Sequence, residues 1–268
     1  MQNRSDNLLK PEDKYPLPAR ERTLLIEELL RSDALLLVAG IVLTIVFTGA
    51  SSGDWFWTIV CFGWGYNLGQ ALTLGENPLM TIALALAIPL VACGITTLVE
   101  RLMWARSESF RNDTYEIRHG LNGELPRLPV ATLAALTALV GFSEEYAFRY
   151  GIISVLSLFF AQFFDMRLAV FASIAISAVL FAMLHTQYGR LWERLVVVVL
   201  ALAFGLLLVV TGSLLAAALS HAAYDFVGLL LERRRMRLDE CYFGEEPAPT
   251  NVVEKLMEEI SVSMKGDD

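Results

Sequence analysis

The sequence lacks most of the patterns that mark familiar enzyme and binding folds. Its three cysteines show no CxxC spacing and two of them lie in apolar runs, so it indicates neither a disulfide framework nor a zinc finger. The HExxH, Walker and GxGxxG patterns are missing, which leaves an ordinary zinc protease and nucleotide binding without support. It has no basic stripe and no internal repeat, so we predict no nucleic-acid partner and no inverted-repeat transporter.

The formal net charge of −8 says little about partners, because much of the acid lies in a charged C-terminal tail, residues 232–268. The N-terminal segment, residues 1–32, is too charged for a signal peptide, so we expect the first apolar run, Leu35–Ala50, to remain as an anchor. Within that segment, Arg20–Arg31 predicts an amphipathic helix that lies on the membrane surface.

Apolar residues are what the chain has in excess, since they make up 55% of it and the mean hydropathy is positive. This composition predicts an integral, multi-pass protein surrounded by the lipid bilayer. We expect an all-α fold, a polytopic transmembrane helical bundle of about seven to eight membrane segments with a catalytic cavity. The clearest runs of spanning length are Leu35–Ala50, Met80–Leu98, Leu168–Leu184 and Leu195–Val210, and further apolar stretches cover 55–74, 128–164 and 213–231.

The chain divides by composition into four regions. They are the N-terminal segment 1–32, the N-terminal membrane helices and polar loop 33–127, the catalytic membrane core 128–231, and the tail 232–268. The longest loop is 101–127, and a break or bend is predicted at Tyr150–Gly151. The positive-inside rule places three Arg-bearing segments in the cytoplasm, namely 101–127, Arg190 with Arg194, and Arg233–Arg237.

The core is organised around Gly141–Arg149, where two carboxylates and a guanidinium lie in an otherwise apolar stretch. Ionisable side chains at membrane depth are costly and normally mark a functional site. On a helix, Glu145 and Arg149 share a face with the acid N-terminal, which favours an ion pair. Glu144 points about 100° away and has no basic residue three or four positions off. A carboxyl buried without a cation takes up a proton readily, so Glu144 is the best candidate for a general base.

Two of the three histidines also lie in predicted membrane segments. His185 ends an apolar span four residues after Phe181, and His221 comes four residues before Asp225 on one helical face, whereas His119 lies in the polar loop. A base, two imidazoles and an acidic partner on three spans are the parts needed to activate water. We therefore expect water to be the nucleophile.

Each feature also has a simpler interpretation. The two glutamates with Arg149 can form a structural cluster, although one Arg cannot neutralise two carboxylates that point in different directions. A histidine at the end of a helix can be interfacial, and His221 with Asp225 can be a helix-packing pair. Phe181 can be a core residue that at most lines a pocket. The occurrence of all these features together favours a catalytic site over the simpler interpretations.

Together the patterns resemble the CPBP family, a group of intramembrane endopeptidases that includes CAAX prenyl proteases and bacteriocin-processing proteins. The matching motifs are Glu144-Glu145-x-x-x-Arg149, Phe181-x-x-x-His185 and His221-x-x-x-Asp225. The resemblance covers residues 128–231. It implies a helical membrane fold with a conical cavity and hydrolysis of a peptide bond in a membrane-associated protein or peptide, prenylated in the CAAX type.

The resemblance also implies a role for each matched residue. Glu144 would activate water with help from His185, and His221 would stabilise the oxyanion together with the residue at position 225. The supporting residues would be Glu145, Arg149 and Phe181.

The residue at position 225 differs from that of the CAAX protease, which has Asn where this chain has Asp225. An ionised Asp only accepts hydrogen bonds and would repel an oxyanion. Asp225 is therefore protonated, or it orients His221 and holds it as an imidazolium, or it joins Glu144, His185 and His221 around a zinc ion. The preferred interpretation, water activated by glutamate and histidine, requires no cofactor.

Two other classes of function are alternatives to a protease at this point. A proton or ion relay in a transporter also places Glu, Asp and His in spans, and a noncatalytic membrane regulator can retain such a pocket. For a protease, prenylated CAAX chains, bacteriocin leaders and other membrane peptides all fit the pattern as substrates. Expecting a bacterial member of the family, we place the protein in the plasma membrane.

Overall fold

The computed structural model describes residues 17–52, 71–118, 123–185 and 191–238, and every regular element within those ranges is helical. The helices are α1 Ala19–Ser52, α2 Pro78–Arg106, α3 Glu108–Arg118, α4 Val130–Glu145, α5 Ile153–Phe160, α6 Met166–Leu184, α7 Leu191–Thr211 and α8 Leu214–Leu238. A 3₁₀ turn, Leu125–Arg127, precedes α4, and a π-helical turn, Tyr146–Ile152, joins α4 to α5. The predicted all-α class is confirmed.

Four helices are long and apolar enough to cross a membrane. They are Pro78–Arg106, Met166–Leu184, Trp192–Thr211 and Leu214–Leu238, and they coincide with four of the predicted spans. These four do not establish the predicted count of seven to eight segments. Several predicted features lie outside the described residues, namely most of the stretch 55–74, His119, Arg190 and the tail beyond residue 238.

The ends of the membrane helices follow from local capping chemistry. The Asp165 carboxylate accepts hydrogen bonds from the backbone N–H groups of Arg167 and Leu168 and starts α6. Gly212 has φ of +67°, a conformation that favours glycine, and it separates α7 from α8. Ser213 then caps α8 by accepting a hydrogen bond from the N–H of Ala216 at 3.0 Å.

The N-terminal part of the chain differs from its prediction. The expected surface helix Arg20–Arg31 and the expected span Leu35–Ala50 belong to one continuous helix, α1, so the prediction of two separate segments is wrong. No Gly or Pro stands between them to end the first helix. At 34 residues α1 is roughly 50 Å long, longer than the ~30 Å hydrocarbon core of a bilayer.

The described part of the segment 101–127 is largely helical, whereas a polar loop was predicted. α2 continues to Arg106, and Ser107 then starts α3 by accepting a hydrogen bond from the N–H of Phe110. Further on, Glu124 and Arg127 are buried and form an ion pair of 2.6 Å. Charged residues of this segment therefore lie inside the structure, where only pairing makes their burial tolerable.

Helix α8 continues beyond residue 231, where the last apolar stretch ends, to Leu238. Two contacts explain the extra turns. Met236 is fully buried, and Glu232 pairs with Arg118 at 2.5 Å.

The chain divides into two compact units. One contains residues 25–106 and 130–228, and its described part holds the membrane helices. The other contains, among the described residues, 17–24, 107–118, 123–129 and 229–238. The predicted region boundaries follow chain order and stay predictions.

In the membrane unit, the predicted break at Tyr150–Gly151 is instead a change of winding. The chain stays helical through the π turn, in which the N–H of Ile153 bonds to the carbonyl of Phe148. The same carbonyl accepts a second hydrogen bond from Ser177 Oγ of α6 at 3.0 Å. Wide turns of this kind are frequent at functional sites, and this one follows directly after Glu144 and Glu145.

Candidate active site

A close approach of α4 to α8 brings the acidic pair beside His221. A Cβ on Gly141 would lie 2.9 Å from the carbonyl O of Ala218 and 2.9 Å from the backbone N of Ala222, so only glycine lets the two backbones come this near. The two glutamates follow three and four residues after Gly141. They are therefore held against the turn of α8 that carries the histidine.

Glu145 lies between His221 and Arg149, and its carboxylate contacts both. Nδ1 of His221 donates a hydrogen bond to Oε1 at 2.8 Å, and Nε of Arg149 lies 3.1 Å from Oε2. All three side chains are buried. The ion pair predicted from the spacing is confirmed, whereas the contact with His221 was not predicted. Because a carboxylate only accepts, Nδ1 carries the hydrogen and the ring orientation is fixed.

Glu144 faces two imidazoles from other helices. Its Oε1 lies 3.9 Å from Nε2 of His185, and its Oε2 lies 3.6 Å from Nε2 of His221. Both distances exceed the range of a hydrogen bond. Among the described residues, the buried Oε2 has no hydrogen-bond partner. Glu144 therefore keeps lone pairs for a ligand held between the two rings.

His185 is oriented by the backbone at the end of α6. Its Nδ1 lies 2.8 Å from the carbonyl O of Phe181, and because a carbonyl only accepts, Nδ1 is the donor. The neutral ring then carries its lone pair on Nε2, the nitrogen that faces Glu144. The Phe181 ring also packs on the His185 ring, with centroids 4.3 Å apart, so Phe181 contributes to placing the imidazole.

Asp225 lies one turn after His221 on α8. Its Oδ2 is 3.4 Å from Nε2 of His221, on the side of the ring that also faces Glu144. Nε2 can donate toward these carboxylates only when it carries a proton. With Nδ1–H already donated to Glu145, this surrounding suits an imidazolium with a hydrogen on each nitrogen.

Three phenylalanine rings surround the guanidinium of Arg149. Its Cζ lies 4.4 Å from the ring centroid of Phe181, 5.9 Å from that of Phe204 and 6.0 Å from that of Phe148. Among the described residues, neither NH1 nor NH2 has a hydrogen-bond partner, so ring faces are a main contact of this buried cation. Phe204 also stacks on His221, with centroids 5.1 Å apart and planes inclined by 19°.

A comparison with known families covers the part of the chain that carries this geometry. Residues 126–227 match a family described as Rce1-like, type II CAAX prenyl endopeptidase. This segment is therefore similar to the CAAX protease family. No curated protein and no solved structure matches the chain. The matched range holds every side chain that the sequence singled out for the site.

Within the CAAX protease segment, the structure brings together the side chains that were predicted to converge. They come from α4, the π turn, α6 and α8, and they are Glu144, Glu145, Arg149, Phe181, His185, His221 and Asp225. Their proximity is a finding, while their catalytic roles stay predictions.

Two residues near the site were missed by sequence reasoning. Phe204 was missed because a phenylalanine inside an apolar span has no distinguishing spacing. Asp33 lies on α1, outside the CAAX protease segment, where it is buried and accepts a hydrogen bond of 3.1 Å from Ser143, the neighbour of Glu144. Asp33 was missed because it follows a charged stretch of the sequence and has no distinguishing spacing. In the structure its buried carboxylate helps to hold Ser143, which precedes Glu144.

Zinc binding by Glu144, His185, His221 and Asp225 stays a prediction. Carboxylate and imidazole groups are ligands that zinc accepts. Among the described residues, however, no group of three or more His, Cys, Asp or Glu side chains is placed to hold a metal ion. Nδ1 of His221 bonds to Glu145, so only Nε2 could bind a metal. Nε2 lies between the carboxylates of Glu144 and Asp225, a position that also suits a hydrogen-bond donor. We derive no step through a metal from this geometry.

Proposed function

We propose that the protein is an intramembrane endopeptidase that hydrolyses a peptide bond with water activated by Glu144 and His185. The match of residues 126–227 to the CAAX protease family supports a peptidase, with a peptide or protein at the membrane as substrate. The observation that carries the mechanism is the position of the Glu144 carboxylate, 3.9 Å and 3.6 Å from the Nε2 atoms of two histidines on other helices.

In the first step, water binds between Glu144 and Nε2 of His185, which are too far apart to bond directly. Its oxygen attacks the carbonyl carbon of the peptide, and its proton passes to Glu144 as the new C–O bond forms. His185 suits the task of aligning this water because the Phe181 carbonyl holds its Nδ1–H and leaves Nε2 facing the base.

The negative charge that develops on the peptide oxygen is stabilised by His221. Held as an imidazolium between Glu145 and Asp225, its Nε2–H donates to the oxyanion in place of its weak contacts with the nearby carboxylates. In this account Asp225 holds the charge on the ring and does not contact the oxyanion itself. The proposal thereby gives Asp225 a role at the position where the CAAX protease has Asn.

In the second step, the tetrahedral intermediate collapses and the C–N bond breaks. Glu144 returns the proton to the leaving amine, so that the carboxylate is regenerated and one water has been consumed. Arg149 takes no direct part, but it pairs with Glu145 and thereby keeps the imidazole in place.

Three finer assignments belong to the same proposal. The substrate is a CAAX-type chain carrying a prenyl group, the fold has seven to eight membrane segments, and the host membrane is a bacterial plasma membrane. The family description, which names prenyl endopeptidases, supports the first of these. The four apolar helices support an integral membrane protein.

The decisive experiment is cleavage of a peptide library, including farnesylated CAAX peptides, by detergent-purified wild type and Glu144→Gln. We expect cleavage by the wild type only. Glu108→Gln, an exposed glutamate on α3, is the matched control and should cleave like the wild type. Equal cleavage by Glu144→Gln would refute the assigned base.

Repeating the cleavage assay with a zinc chelator distinguishes the proposed mechanism from the zinc-dependent alternative. The proposed mechanism predicts that activity is unchanged after incubation with a strong zinc chelator. Loss of activity on chelation, with recovery on adding zinc, would replace the glutamate mechanism with a metal-dependent one at the same four side chains.

A further inference from the structure

We propose that Asp33 on α1 is a positioning residue for the base Glu144, on which it acts through Ser143. This inference rests on the proposed function and deepens it, because it gives a catalytic role to a helix outside the matched segment 126–227. The mechanism given above makes no use of Asp33. Its carboxylate is nevertheless buried, with only 6% of the residue exposed, directly before the apolar run that begins at Leu35.

Residues 143–145 of α4 point to three different neighbours. Ser143 Oγ donates to Oδ1 of Asp33 at 3.1 Å. The Glu145 carboxylate accepts from an α8 imidazole at 2.8 Å. Glu144, between them, lies 3.6 Å and 3.9 Å from the imidazoles of α8 and α6, which is beyond hydrogen-bonding distance. The position of Glu144 therefore depends on how the residues on either side of it are held.

The contacts on either side of Glu144 oppose rotation of α4 about its axis. Successive side chains on a helix point about 100° apart, so Ser143 and Glu145 hold α4 from two directions. Ser143 Oγ also lies 3.1 Å from the carbonyl O of Val140, but that contact is within α4 and ties it to no other helix. Loss of the bond to Asp33 would thus release one of the two sides. A shift of about 1 Å in a catalytic group can cost roughly 100-fold in rate.

The face of α1 that carries Asp33 also reaches the chain after the two glutamates. Its residues occur at i, i+3, i+4 and i+7, side by side along the helix, and they are Asp33, Leu36, Leu37 and Gly40. A Cβ on Gly40 would lie 2.9 Å from Cα of Ala147, so only glycine permits this approach. Leu36 packs on the cluster that contains Ala147. Helix α1 therefore contacts the chain on both sides of the glutamates.

Packing alone does not call for a carboxylate at position 33. Burying a carboxylate costs more than burying an apolar side chain, and a neutral hydroxyl compensates for only part of that cost. Ionisable side chains inside a membrane bundle are for this reason functional by default. The bond from Ser143 is the contact through which Asp33 acts on the adjacent base.

The test compares kcat and KM for peptide cleavage by the wild type, Asp33→Leu and Asp33→Asn. Leucine removes the acceptor, so kcat should fall roughly 10-fold to 100-fold as the base is displaced. KM should stay unchanged, because Asp33 does not touch the substrate in this account. Asparagine keeps an acceptor oxygen for Ser143 and should restore most of kcat. Glu28→Leu removes an exposed acid from the same helix and should behave like the wild type.

Variants of Ser143 test the same contact from its other side, including the case in which Asp33→Leu is too unstable to purify. Ser143→Ala deletes one hydroxyl and should lower kcat by a similar factor. Ser143→Thr keeps the hydroxyl and should restore most of kcat. The double variant Asp33→Leu with Ser143→Ala should be no slower than the slower single variant, because both substitutions break one contact.

Several results would overturn the inference. Wild-type kcat in Asp33→Leu or Ser143→Ala would show that the contact does not place the base. An equal loss in Asp33→Asn and Asp33→Leu would exclude the hydrogen bond as the cause, and a rise in KM at constant kcat would assign Asp33 to substrate binding. The proposed function fails differently, since then the wild type cleaves no peptide or Glu144→Gln cleaves as well as the wild type.

Discussion

The ring of Phe204 lies almost parallel to the imidazole of His221, with centroids 5.1 Å apart. Phe204 is buried on α7 and also approaches the guanidinium of Arg149, so one ring lies beside both His221 and Arg149. A stacked ring limits how the imidazole can turn about its hydrogen bond to Glu145. In the proposed mechanism Phe204 is thus a positioning residue that acts through His221.

Phe204→Leu should lower kcat with little change in KM, because the substrate itself does not contact Phe204 in this account. Aromatic pairs contribute about 0.5–1.5 kcal/mol beyond burial. If this contribution is lost in the transition state, kcat falls roughly 2-fold to 10-fold. The measurement is steady-state kinetics on a cleaved peptide.

Two further variants separate positioning from general packing. Phe204→Tyr keeps the ring and should restore most of kcat. Phe171→Leu removes a phenylalanine from an exposed face of α6 and should leave kcat unchanged. A rise in KM at constant kcat for Phe204→Leu would instead assign the ring to substrate binding.

The Glu145–Arg149 pair yields a prediction about stability. Both side chains are buried, and Glu145→Gln would leave the guanidinium in the membrane unit without its carboxylate. Removing one partner of a buried pair costs about 3–5 kcal/mol, so we expect a loss of this size in the free energy of unfolding. Denaturant titration of the purified protein measures it.

The double variant Glu145→Gln with Arg149→Met is the internal control for this pair. It removes the unpaired cation as well, so it should be more stable than Glu145→Gln alone. Additive losses from the two single variants would show that the residues do not act as a pair.

Gly141 gives a prediction that links packing to the site. In Gly141→Ala the new Cβ would lie 2.9 Å from backbone atoms of Ala218 and Ala222, which cannot yield as a side chain can. Separating α4 from α8 should destabilise the protein by about 1–3 kcal/mol and reduce activity by moving the glutamates from His221. Thermal unfolding and peptide cleavage measure the two effects.

Gly94→Ala is the matched control, since a Cβ on Gly94 of α2 meets no atom within 4 Å. Alanine has the higher helix propensity, so this variant should be neutral or slightly more stable. Equal destabilisation by the two substitutions would mean that helix–helix distance is not the cause.

The features of the molecule that the sequence predicts are mainly those that depend on residues close together along the chain. The Glu145–Arg149 pair rests on a spacing of four residues along one helix, and local geometry was enough to predict it. Apolar length likewise predicted four membrane helices. Convergence of the glutamates with His185 and His221 was inferred from residue type, and the structure brings them within 4 Å.

What sequence reasoning missed depends on contacts between distant parts of the chain. The polarity of 101–127 indicated a solvated loop, but pairing of Glu124 with Arg127 permits burial of both. The hydrogen bond of Glu145 to His221 joins residues 76 positions apart, and no local spacing encodes it. The stacking of Phe204 on His221 also arises only from the packing of helices.

Asp225 is the residue at which the proposed mechanism makes its sharpest claim. Its Oδ2 lies 3.4 Å from Nε2 of His221, and we assign it to hold the imidazolium. Asp225→Asn keeps the shape but removes the charge. Hydrogen bonds to charged groups contribute about 1.5–3 kcal/mol, so kcat should fall roughly 10-fold to 100-fold. The kcat of Asp225→Ala should fall by at least the same factor. If Asp225→Asn instead matches or exceeds the wild type, the side chain at 225 donates to the oxyanion, as Asn would, and His221 does not need the carboxylate.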